Sequence, residues 1–274
     1  MCKPNPFIMS DSEQQQLDAA LDLLRRTDPR NVASNLALIC RMNQPIAEEL
    51  LSTVDQPLQV NTDLDNNKKY LCCDYNRDGD SYRSPHSNKY FPAIDDPIEI
   101  SDKIRQLEVT LNAAFDTYRE LYFEGGLSSC YLWDQEDGDN FAGVVLLQKV
   151  MKQSQWDSIH VLEVESVSGK EYSYKLSSTV ILDIGHNSTK LGGSLTRQAE
   201  KKANVFEPQD HIANIGAFVE EMENRMRALL HEVYFGKTRD IIGDIRSIEN
   251  LKEVRADEER KREIASGLGS RQAL

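Results

Sequence analysis

Residues 171–184 read EYSYKLSSTVILDI, and their apolar and polar members take turns: Tyr172, Tyr174, Leu176, Val180, Leu182 and Ile184 against Ser173, Lys175, Ser177, Thr179 and Asp183. A period of two places the first set on one face of a strand and the second on the other. The same habit marks four neighbours, 128–134, 141–151, 156–167 and 191–200, joined by short polar links such as Asp137-Gly138-Asp139 and Ser168-Gly169-Lys170. Consecutive strands with links that short fold as an antiparallel meander. One face of that sheet is apolar and has to be covered.

The cover follows in the chain. From Ile212 the apolar positions Ile215, Val219, Met222, Met226, Leu229 and Val233 alternate steps of three and four, the seam of a helix about 33 Å long. That stripe serves either a helix lying on its own sheet or a face shared with a partner. Beyond Gly236 the periodicity resumes at Ile241, Ile245, Ile248 and Leu251, after a possible break. Before the strands, Ser101 caps a helix to about Phe123 that carries Ile104, Leu107, Leu111, Ala114, Phe115, Tyr118 and Leu121 on one side and stops at Glu124-Gly125-Gly126.

The N-terminal part is different again. Three short amphipathic helices, from Ser12 to Asp28-Pro29, from Asn31 past Ile39, and from Ile46 to Val54, are each too short to hold alone and must pack together. Residues 57–100 are rich in Pro, Asp, Asn, Ser and Tyr, hence turn-rich, with one short strand at Tyr70 to Cys73. The whole reads as an α+β protein. It has a flexible N-terminal extension (1–11), a three-helix stalk (12–56), a turn-rich middle globule with its helix (57–127), a five-stranded antiparallel meander (128–200), a long C-terminal helix (209–250) and a mobile amphipathic tail (251–274).

Charge bounds the partners. The chain of 274 residues has 45 Asp and Glu against 32 Lys and Arg, a net −13, which repels phosphate and argues against a nucleic-acid binder. The tail departs from that average. From Lys252 it is KEVRADEERKREIASGLGSRQAL, net +1, with Arg260-Lys261-Arg262 ahead of Ile264 and Leu268 at i,i+4. No run of 18 apolar residues exists, and five scattered cysteines with no CxxC read as reduced thiols.

Catalytic and metal chemistry find few candidates. DYNRDGD at 74–80 fits the first seven positions of an EF-hand loop, but the twelfth position is Pro85 where a bidentate Glu is required. A turn built on Asx side chains and Gly79 is the expected use. The five histidines fall in five separate segments, none at metal-ligand spacing, and Gly192-Gly193-Ser194-Leu195-Thr196 lacks both the closing glycine of a nucleophile elbow and the Lys of a phosphate loop. No catalytic residue, metal ligand or cofactor is therefore expected.

Several strings together resemble the β subunit family of F-actin capping protein (CapZ): LLSTVDQPL at 50–58, YLCCDYNRDGDSYRSPHSNKY at 70–90, AAFDTYRELYFEGGLSSCYLWD at 113–134, WDSIHVLEVE at 156–165, LGGSLTRQ at 191–198, HIANIG at 211–216 and YFGKT at 234–238. The likeness runs from about Met9 to Ile248, leaving the first eight residues as an extension. It implies an obligate heterodimer with a related α subunit, in which two five-stranded sheets join. The implied activity is calcium-independent capping of the barbed, fast-growing end of actin filaments in the cytoplasmic cytoskeleton. It also implies actin contacts from Arg227 on the long helix, from Arg260 and Arg262, and from the tail pair Ile264 and Leu268. Further partners implied are CARMIL-type regulators, myotrophin-like proteins and acidic phosphoinositides. The other reading is a structural subunit of a larger, dynactin-like assembly that leaves free filaments uncapped. Two departures from the family pattern stand out: Gly267 and Gly269 flank Leu268, and His86 replaces the family's Trp.

Overall fold

The computed structural model describes residues 10–27, 31–135, 139–152, 154–186, 189–236, 252 and 255–261. It divides into two units, Met1–Met222 and Glu223–Leu274. The first begins with α1 (Asp11–Arg26), α2 (Val32–Met42) and α3 (Ala47–Thr53). Ser10 and Glu13 form a reciprocal capping box that starts α1. Asn31 stands at the N-cap of α2 as expected, but its side chain makes no capping bond; the Ser34 hydroxyl donates to its carbonyl instead. Leu17, Ala20, Leu24, Val32, Leu36, Ile46 and Leu50 form one apolar cluster, which is how three helices too short to stand alone hold each other.

The middle segment holds more strand than its composition suggested. The hairpin of β1 (Gln59–Asp63) and β2 (Lys68–Cys72) turns through Leu64–Asn67, with Asn67 at φ 51°. Three short strands follow, β3 (Arg77–Asp78), β4 (Ser81–Arg83) and β5 (Tyr90–Phe91). The calcium-like string becomes a turn and a hairpin. Buried Asn76 accepts the Cys73 N–H and donates to the Arg83 carbonyl, while Gly79 takes a positive φ of 56° between β3 and β4. Asp74 is spent on Arg77, 3.5 Å away.

The expected helix is α4 (Asp102–Tyr122), with the Ser101 hydroxyl accepting the Ile104 N–H. Its buried side is Ile104, Leu107, Glu108, Leu111 and Phe115, whereas Ala114 and Leu121 are exposed. The meander is complete: β6 (Leu127–Asp134), β7 (Phe141–Met151), β8 (Ser154–Ser168), β9 (Glu171–His186) and β10 (Thr189–Asn204), antiparallel throughout in the order β10-β9-β8-β7-β6. Gly126 is required at the entry to β6, because a Cβ there would collide with the Gln148 carbonyl.

Both sheet faces are covered. On one side Leu58 and Leu71 join Tyr131, Val144, Leu146, Ile159 and Ile181 in a cluster beneath the hairpin and stalk. On the other lie α4 and the start of α5 (Asp210–Leu230), where His211 packs edge-on against Phe141 and Tyr172 and bonds the Tyr174 hydroxyl at 2.8 Å. Burial holds the His211 imidazole down to about 4, so it is neutral at physiological pH. The buried residues of α5 include Ile215, Phe218, Val219, Met222, Met226 and Leu230. That stripe drifts from the strict heptad seam towards Phe218 and Leu230, as a straight helix of 3.6 residues per turn must. A π-helical turn, His231–Gly236, follows. The expected extension to residue 250 lies outside the described residues.

Candidate assembly edge and filament-binding residues

A sheet in a single chain has two edges, and the fold treats them in opposite ways. β10 pairs with β9 along its whole length, from Thr189↔His186 to Asn204↔Glu171, and is the last strand in the sheet order. Alternate backbone N–H and C=O groups along it point away from β9. At 3.4 Å per residue the edge is roughly 50 Å long. Gly192, Thr196, Arg197, Gln198 and residues 200–202 are exposed. Its polar side chains are tied back onto its own unit. The Thr196 hydroxyl meets that of Thr179 at 3.0 Å, Glu200 accepts from Ser173 at 2.8 Å, and Lys201 reaches Glu221 on α5 at 3.4 Å. An open edge of this length is a template for another strand.

The β6 edge is closed by side chains standing in for a strand. Asn112 on α4 bonds the outward backbone of Cys130 twice: its Oδ1 accepts the N–H at 2.9 Å and its Nδ2 donates to the carbonyl at 2.8 Å. Two residues on, Glu108 Oε2 accepts the Leu132 N–H at 2.7 Å and Arg83 Nη2 donates to the Leu132 carbonyl at 3.3 Å. Arg83 and Glu108 are themselves a two-pronged pair, at 2.9 and 2.7 Å, and Arg105 also bonds Glu108. Glu108 is fully buried and Arg83 is 5% exposed. A lone buried carboxylate would cost several kcal/mol, so two guanidinium groups and a backbone N–H are what make this site tolerable. Burial pushes the Cys130 thiol and the Tyr131 phenol well up, so both stay protonated in the same region.

This closure was half visible in the sequence. Glu108 interrupts the apolar stripe of α4 between Leu107 and Leu111, a charge where only burial was expected. Its partner Arg83 sits 25 positions upstream in turn-rich sequence, and no spacing rule links the two.

The expected filament-binding residues are only partly described. Arg227 lies on α5 with its Nη2 3.1 Å from Glu223 Oε2, one helical turn back; 32% of the Arg227 side chain is exposed and Glu223 is buried. Arg260 is exposed in helix within residues 255–261. Arg262, Ile264 and Leu268 lie outside the described residues, so the tail's apolar pair has no geometry to report. Among the described residues no cluster of His, Cys, Asp or Glu has the arrangement of a metal site. His160 bonds the Ser178 hydroxyl at 2.8 Å, and both side chains are fully buried in the sheet.

Comparison with known proteins follows the same lines. A family model described as F-actin capping protein, beta subunit, matches residues 17–242. The F-actin-capping protein subunit beta of Yarrowia lipolytica is 54% identical over 265 residues, covering 95% of this chain and 100% of that protein. The Drosophila melanogaster protein of the same name is 48% identical, covering 93% and 96%. Among solved structures, the homodimeric actin capping protein alpha subunit of Plasmodium berghei has a similar fold, with a TM-score of 0.51 at 17% identity over 86% of this chain and 97% of that one.

Proposed function

The chain belongs to the F-actin capping protein beta subunit family, and from that premise we infer that it is the β chain of a heterodimer that binds actin filament barbed ends and blocks subunit exchange. One observation carries the assembly step: among the described residues no strand pairs with the outer side of β10 (Thr189–Asn204), while β6 is sealed by Asn112, Glu108 and Arg83. The α subunit's sheet adds at β10, making one sheet from two chains. A filament end presents two terminal protomers, and a dimer of related chains offers each of them a related surface. Occupying that end stops addition and loss without any bond being made or broken. Its place of work is the cytoplasmic actin cytoskeleton.

The filament contact divides by physics. Arg227, Arg260 and Arg262 oppose the acidic filament, which raises the encounter rate and makes capping sensitive to salt. Ile264 and Leu268 then bury their side chains in an apolar groove on actin, worth roughly 1.5–3 kcal/mol each before ordering costs. Regulation falls to CARMIL-type partners, myotrophin-like proteins and acidic phosphoinositides, the last two competing for the basic residues. The test is co-expression with an α chain followed by elongation from filament seeds over a range of salt. Inhibition at substoichiometric dimer, weakening as salt rises, supports the reading. Unimpeded elongation at low salt overturns it.

A further inference from the structure

The sealing of β6 stops short of the strand's beginning. Outward-facing positions alternate along an edge strand, so Cys130 and Leu132, both sealed, are followed in the other direction by Ser128. The Ser128 carbonyl accepts the Ser129 hydroxyl at 2.8 Å, and its N–H points outward, away from β7. There the chain opens into a cleft of about 630 Å³ between β2, the His86 turn and one side of α4. Asn112, which closes the next position, forms its inner limit.

The walls select a ligand by charge. Lys68 and Lys69 project from β2 and are exposed; Arg119 and Asp116 face them from α4 and are paired at 2.7 Å. The α4 wall between these charges is Val109 and Ala113, the former 51% exposed. The cleft therefore combines an unfilled strand position, a small apolar wall and two lysines with no acidic partner among the described residues, in a chain whose net charge is −13. An extended backbone suits the first, alternate apolar side chains the second, and carboxylates the third. His86 narrows the opening with its ring, Nε2 lying 3.3 Å from the Lys69 carbonyl.

We propose that this cleft is a docking site for an acidic, extended peptide segment of a partner protein, which adds one short strand at Ser128 and ends where Asn112 begins. The site is separate from β10, so its occupant binds the dimer without displacing the α subunit. It sits on the side of the sheet opposite the joint.

The test uses the co-expressed heterodimer and two fluorescein-labelled probes, acetyl-Glu-Val-Asp-Val-Glu-amide and its neutral isostere acetyl-Gln-Val-Asn-Val-Gln-amide. Anisotropy is expected to show saturable binding of the acidic probe, weakened roughly tenfold by the Lys68→Glu, Lys69→Glu pair and by moderate salt. Hydrogen exchange at the Ser128 amide slows when the probe is bound, while barbed-end capping by the same variant is unchanged. Equal binding of both probes, unchanged binding to the lysine variant, or an unprotected Ser128 amide overturns the proposal. So does binding of phosphatidylinositol bisphosphate vesicles through these lysines with no binding of the acidic peptide. A dimer that binds the probe but does not cap would sink the capping assignment and leave this one standing.

Discussion

Replacing Asn112 with Ala tests the closed edge directly. The side chain makes three bonds, to the Cys130 N–H, the Cys130 carbonyl and the Glu108 carbonyl one turn back. Cys130 is fully buried, so the change strands one donor and one acceptor of the main chain. Each stranded group costs about 1–3 kcal/mol, and water entering the space left by the amide trims the sum to roughly 2–4 kcal/mol. With a urea slope of about 1–3 kcal/mol per molar, the unfolding midpoint falls by about 0.7–4 M. Asn112→Asp separates the two halves of the amide: it keeps an acceptor for the N–H and loses the donor to the carbonyl. Its cost near neutral pH includes a carboxylate brought beside the Glu108 and Cys130 carbonyls, and it shrinks on acidification, when a protonated carboxyl can donate again. The assays are urea unfolding of the heterodimer and hydrogen exchange at the Cys130 amide, which accelerates in Asn112→Ala and stays slow in Asn112→Asp. A loss below about 0.5 kcal/mol in Asn112→Ala, the size of a typical surface substitution, with unchanged exchange at Cys130, would refute the strand-mimic reasoning.

Three further outcomes follow from the same geometry. Prolines placed singly at Arg197 and Gln198 probe β10, because adjacent residues point their N–H groups to opposite sides; the outward-facing one abolishes association with the α subunit while far-UV circular dichroism is kept, and normal assembly of both variants would exclude this edge as the joint. Truncation after Glu263 removes Ile264 and Leu268, but the glycines at 267 and 269 each cost about 1 kcal/mol in a helix, so barbed-end affinity is expected to fall less than when Arg227→Glu is combined with charge reversal of Arg260 and Arg262; an equal or larger fall from truncation contradicts this. Asp63 is buried, which opposes its ionisation, yet bonds from Ser84, Ser87 and the backbone N–H groups of Asn66 and Asp65 outweigh that and hold its carboxyl far below the usual range. Its stabilising contribution is present above the unfolded value near 4 and is lost as pH falls through the folded one, so thermal unfolding across pH 2–6 should show a flatter acid limb in Asp63→Asn, and an unchanged limb counts against it.

What could be read from the residues alone follows physical range. Tyr172 to Ile184 announce a strand because the side-chain period is a local property, and the boundaries of β7 agree to the residue. The helices of the stalk announce themselves through caps and stripes for the same reason. Of the hairpin, the residues announce only the strand at Tyr70 to Cys73, which overlaps β2 and carries the buried Tyr70, Leu71 and Cys72; β1 stays silent because QVNTD has no apolar alternation. The seal on β6 was invisible in its essential part, since Arg83, Glu108 and Cys130 meet only in space. Arg227 could be named by resemblance only, whereas Arg260 stands out by charge in the run Arg260-Lys261-Arg262 of an otherwise acidic chain. The drift of the α5 stripe from Leu229 to Leu230 reflects the difference between 3.5 and 3.6 residues per turn, too small to read over three heptads of sequence.

The unequal edges also set a stoichiometry. A strand-pairing unit with two open edges is divalent and grows into a ribbon as its concentration rises, as fibril-forming sheets do. With Asn112, Glu108 and Arg83 occupying one side, β6 has room for no more than a short peptide, so towards another sheet the unit has a valence of one, and units that are monovalent in this sense stop at two whatever the concentration. Termination is thus built into the subunit before it meets a filament: a molecule whose own assembly ends after a single addition is the one that ends the growth of another polymer.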